Sequence, residues 1–139
     1  MPPGFDLTTF HALAEETARR NHPHRWPPRR RLPVQLHAAQ AALPDIKVLQ
    51  WVDASGRLLG GTITFDHPVA PLAGPWGAID PHDGGRSGIW FEYLARTLRW
   101  VIESQRCGFV AGKAFMAQKA ELGFQAVPQW TVLRPVRPA

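Results

Sequence analysis

Ala111-Gly112-Lys113-Ala114-Phe115-Met116-Ala117-Gln118-Lys119-Ala120-Glu121-Leu122-Gly123-Phe124 is the stretch that decides the fold. Residues 109–112 predict a short strand, with a turn at Gly112. Residues 115–122 have helical spacing, and Gly123 is a helix stop. An apolar run at 124–133 follows and predicts a last strand, with Pro128 as a bulge or edge position. The stretch thus predicts a strand end, a turn, a short lysine-bearing helix and a final strand.

Working outward, the preceding segment predicts a long helix over 89–105. Phe91, Leu94, Leu98, Val101 and Ile102 form its apolar stripe, and Glu92, Arg96, Arg99 and Glu103 lie off it. Residues 80–88 are a polar, glycine-rich loop. Earlier still, residues 46–52 and 57–65 predict a hairpin across Asp53-Ala54-Ser55-Gly56. Gly60 and Gly61 inside it predict a bulge or a close backbone approach. A third strand falls between 69 and 79. The chain opens with helices over 7–20 and 33–43. Thr8 or Thr9 is the candidate cap of the first, whose inward face carries Phe10, Leu13, Ala14 and Thr17. Pro23, Pro27 and Pro28 make 21–32 an exposed linker between them. The reading is one α/β domain over 1–139, with its core at 7–133. Its mixed, mostly antiparallel sheet is flanked by helices.

The 139 residues are 45% hydrophobic, enough for one buried core. A formal charge of +5 favours anionic partners. Cys107 is the single cysteine, which excludes an intramolecular disulfide, and no zinc-ligand spacing or other metal motif is present. No apolar run reaches the ~20 residues of a membrane span, so the expected location is cytoplasmic.

In order and spacing, these elements resemble the GNAT acyltransferase superfamily. The similarity is greatest to the branch of Fem-type and BioF2-like transferases. Asp53 to Gly61 resembles that branch's hairpin, 85–100 its loop and central helix, and 111–124 its closing unit. The resemblance implies an acyl-CoA co-substrate, or aminoacyl-tRNA as second choice, and an amine acceptor. It places the donor's pyrophosphate on Gly84, Gly85, Arg86, Ser87 and Gly88, where a glycine loop meets a helix N-terminus. The loop His82-Asp83-Gly84-Gly85-Arg86-Ser87 has His where the family usually has Gln or Arg, and Ser where it has Gly or Ala. Lys119 matches a lysine that meets the anionic substrate. Asp80, His82 and Glu92 are the candidate general bases. The family's acid is a tyrosine on the closing helix. Here the only tyrosine is Tyr93, on the central helix, where packing is its expected role.

Two other readings stay open. Arg25, Arg29, Arg30 and Arg31 interleave with histidines and Trp26, as in RNA contacts. That pattern fits a non-catalytic nucleic-acid module. A pseudo-enzyme acting as a partner subunit, or a homodimer, also fits a single domain of this kind.

Overall fold

The computed structural model describes residues 4–21, 34–112 and 115–128. Helices α1 (Leu7–Asn21) and α2 (Val34–Ala41) precede strands β1 (Ile46–Val52), β2 (Leu58–Phe65) and β3 (Leu72–Ala78). A 3-10 turn, Pro81–Asp83, leads to α3 (Ile89–Glu103), and α4 (Met116–Glu121) follows. The strands form an antiparallel sheet in the order β1-β2-β3. No helix among the described residues is long and apolar enough to cross a membrane.

Alternation along the strands divides the core into two halves. Leu58 and Ile63 meet Phe5, Phe10, Ala14 and Ala41 under α1 and α2. Trp51 and Leu59 meet Ile89, Tyr93 and Leu94 under α3. A bulge sets which of the neighbours Leu58 and Leu59 shares the side of Ile63: Trp51 pairs with Gly60 but Val52 with Leu58, which leaves Leu59 without a partner on β1. The small residues expected at a bulge or a close approach therefore serve both ends. Gly60 closes the bulge, and a Cβ on Gly61 would press on the Phe10 ring at 3.0 Å.

Helix α1 starts differently from the sequence reading. Asp6, not Thr8 or Thr9, is the cap: its carboxylate accepts from the Thr9 N–H at 3.0 Å and from the Thr9 hydroxyl. Those two bonds hold the Asp6 carboxyl below its usual value, the hydroxyl contributing most. The buried face is Phe10, Ala14 and Thr17. Its backbone lies directly on Gly77 of β3, where a Cβ would overlap the Ala14 nitrogen.

A second bulge lies in β3. Thr62 pairs with Trp76 and Thr64 with Ala73, so Gly74 and Pro75 together face Ile63. Proline has no N–H to contribute to a ladder, and a bulge is where a strand tolerates it.

The closing unit is less sheet-like than expected. At 109–112 there is no strand, only one parallel bridge between Leu72 and Val110. Residues 124–128 form no strand either, and the remainder of the expected last strand lies outside the described residues. The Phe124 N–H bonds to the Lys119 carbonyl at 2.9 Å, finishing α4 instead of starting a ladder.

Candidate functional site

The site builds from the outer edge of β3. The Ile79 N–H bonds to the Leu59 carbonyl at 2.9 Å, so the partners alternate and Ala78 and Trp76 present their backbone groups away from β2. At the start of the strand that edge is paired: Ala73 N–H donates to the Val110 carbonyl at 2.8 Å, and Val110 N–H to the Pro71 carbonyl at 2.9 Å. Beyond Ala73 no backbone bond joins β3 to 111–112 among the described residues. The pairing stops where Gly74 and Pro75 bulge out of register.

Both sides of this opening have clear causes. On one side the buried Lys119 ammonium donates to the carbonyls of Ala111 and Gly112, the latter at 3.0 Å. Those carbonyls are therefore held by α4 and not by β3. On the other side, Thr17 and Arg20 of α1 occupy Ala78. Its N–H donates to the Thr17 hydroxyl at 3.0 Å, and its carbonyl accepts from Thr17 and Arg20, each at 3.2 Å. Trp76, between these clamps, has its N–H and carbonyl directed into the opening.

At the end of β3 the chain turns tightly. Asp80 accepts from the His82 N–H at 2.9 Å and pairs with Arg20 at 3.3 Å. Gly84 takes φ 80°, and a Cβ on Gly85 would overlap the Ile79 carbonyl. The Gly84 and Gly85 amides are consumed by Pro81 and Asp80 carbonyls. The open amides come next. Gly88, at φ 79°, is the cap of α3, without side-chain help. The N–H groups of 86–91 have no acceptor among the described residues, and the first helical bond is Glu92 N–H to Gly88 at 3.0 Å. Unpaired amides at a helix start form an anion site. Ser87 is exposed beside it.

Arg86 does not reach outward. Its guanidinium pairs with Glu92, which also binds Arg96 at 2.7 Å. The Trp51 indole N–H, then Arg96 and Arg86, hold the Glu92 carboxyl below its usual value, although the indole approach falls short of full hydrogen-bond geometry. Of the three candidate bases, Asp80 and Glu92 are thus bound to arginines. His82 is exposed and has no side-chain partner among the described residues.

Tyr93 is buried between Trp76, stacked at 5.6 Å, and Phe109. Burial pushes its hydroxyl up, against Thr64, Thr62 and Thr97 nearby. It packs, as the sequence implied. The rings of Trp90 and Phe115, 5.2 Å apart, bridge the starts of α3 and α4. Phe115 takes φ 58°, a left-handed conformation rare outside glycine. Burial lowers the Lys119 ammonium from its ordinary value. Lys119 also lines a groove of about 400 Å³ with Val110, Met116, Ala120 and Phe124. Sequence reasoning missed Thr17, Arg20 and Trp76, whose roles rest on backbone contacts between distant segments. The arginines at 25 and 29–31 lie outside the described residues.

Solved structures share the overall fold. An acetyltransferase from Trypanosoma brucei superposes with a TM-score of 0.64 at 13% identity, over 96% of each chain. A possible acetyltransferase from Clostridium difficile 630 gives 0.63 at 11%, over 98% of this chain and 95% of that one. A ribosomal-protein-alanine N-acetyltransferase from Brucella melitensis biovar Abortus 2308 gives 0.56 at 16%, over 96% and 93%.

The chain has the GNAT fold. No protein-family model matches it, and no curated protein matches it in sequence. The GNAT likeness is therefore one of architecture, carried over nearly the whole of each chain.

Proposed function

We propose that this GNAT domain is an N-acyltransferase that takes its acyl group from acyl-CoA and passes it to an amine. The observation that carries this reading is the open edge of β3 at Trp76 beside the unpaired amides of 86–91. One accepts the amide-rich arm and thioester of the donor; the other accepts its pyrophosphate. Gly84 and Gly85 build the turn that delivers those amides, and Ser87 and Gly88 flank them. Lys119 acts from the opposite side by holding 111–112 away from β3.

In the reaction the amine nitrogen attacks the thioester carbonyl carbon, the C–S bond breaks, and CoA departs as a thiolate. The amine proton passes to a base. His82 is the base we favour, because Asp80 and Glu92 are engaged by Arg20 and by Arg86 with Arg96. The two acids then serve as positioning groups for the turn and for Arg86. Segments 53–61 and 111–124 favour the Fem-like branch, with aminoacyl-tRNA as the second donor to test.

Thermal denaturation with acetyl-CoA tests this. Ligand at about 100 times its Kd stabilises by ~2.7 kcal/mol. A rise in Tm, with turnover of an amine panel that His82→Ala removes while the Tm rise stays, supports the reading. A rise without turnover identifies a donor-binding pseudo-enzyme. No rise at millimolar ligand contradicts the reading.

A further inference from the structure

Helix α3 has two apolar faces, and only one is used. Ile89, Tyr93, Leu94, Thr97 and Val101 are buried against the sheet. Phe91, Leu98 and Ile102 remain 58%, 37% and 75% exposed, and Ala95 lies exposed between them. These three were expected to pack inward. The four positions follow a 4-3-4 spacing, the heptad period by which one helix seats on another. From these features we infer that α3 is a homodimerisation helix, docking antiparallel on α3 of a second copy.

The choice of a second copy rests on self-complementarity. A 4-3-4 spacing reads the same from either end, so a two-fold axis through the middle sets Phe91 against Ile102 of the second copy. The same axis sets Ala95 against Leu98 of that copy. Small then faces large in the central layers, as helix packing requires. The flanking charges agree. Glu92, already paired with Arg86 and Arg96 within its own chain, follows Phe91 by one residue and comes within a turn of Arg99 of the second copy, which joins that network; the axis repeats the arrangement on the other side. Arg99 has no ion-pair partner among the described residues, and unlike charges at such flanking positions set partner and orientation. A stable interface buries about 800 Å² per partner. One helix face supplies less, so the dimer dissociates on dilution.

Light scattering of the full chain over a millimolar-to-micromolar dilution series tests this. The expected mass moves from near twice 15.5 kDa to 15.5 kDa. Leu98→Glu with Ile102→Glu removes the dimer throughout, and Arg99→Glu weakens it several-fold. A monomer at millimolar concentration overturns the inference, and so does a dimer that survives the double substitution. Melting of the dilute double variant gives a separate check. An unchanged Tm supports a stripe that is free in the monomer. A lowered Tm means that the chain's own residues, such as 129–139, cover the stripe, and overturns the inference.

Discussion

The Thr17 hydroxyl of α1 meets both backbone groups of Ala78 on β3: it accepts from the N–H at 3.0 Å and donates to the carbonyl at 3.2 Å. A single hydroxyl thus closes one end of the β3 edge that Trp76 leaves open. Thr17→Val keeps the shape and removes both bonds, leaving the Ala78 N–H unpaired while its carbonyl keeps Arg20, at a cost of about 1–3 kcal/mol. Thr17→Ser retains most of the stability. Chemical denaturation measures both, and equal stability of Val and Thr contradicts the role.

The contact of α1 with Gly77 sets how close that helix lies to the sheet. Gly77→Ala pushes a methyl group into the backbone at Leu13 and Ala14. Overpacking of this kind costs about 1–3 kcal/mol, occasionally more. A denaturation midpoint equal to wild type would show that α1 sits further out.

Lys119 gives a pH dependence of known sign. Burial lowers its ammonium below 10.5 in the folded chain, so the unfolded chain binds that proton more tightly. The burial penalty is full at neutral pH and is relieved as pH rises from the lowered folded value to 10.5. The stability of wild type relative to Lys119→Met therefore increases across that window. Parallel denaturation series in both proteins report it, and a constant difference argues for an ordinary exposed amine.

Arg86 is held by Glu92 in the free protein, on the same turn where a phosphate would bind. Releasing it with Glu92→Gln tightens acetyl-CoA binding, by up to about fivefold, the range of an exposed pair. Arg86→Ala weakens binding instead. Calorimetric titration distinguishes the two, and unchanged affinity in both removes Arg86 from the donor site.

The hairpin at 46–65 and the extent of α3 were legible because β-branched runs, a polar turn and glycine stops act locally. The α1 cap was misplaced by a few residues because Asp6, Thr8 and Thr9 all suit a cap, and geometry selects among them. The stripe of α3 was not legible. Its apolar residues cover more than half the helix, and periodicity alone does not say which part faces the sheet. Likewise 109–112 has the composition of a strand, but Lys119 takes two of its carbonyls, a contact between residues that sequence spacing does not pair. His82, Arg86 and Lys119 enter as candidates from their place in a resemblance. The open Trp76 edge depends on a bulge register that only the paired strands reveal.

On the proposed function, an acyl-CoA lies along the parted edge of β3 with its pyrophosphate on the start of α3. Titrating acetyl-CoA into the isotope-labelled chain while following backbone amide resonances tests it most directly. The amides of Trp76, Ser87, Gly88, Ile89 and Trp90 are predicted to shift together and to saturate with one affinity. If none of them moves at millimolar acetyl-CoA, or if the shifts gather elsewhere on the chain, the claim is contradicted.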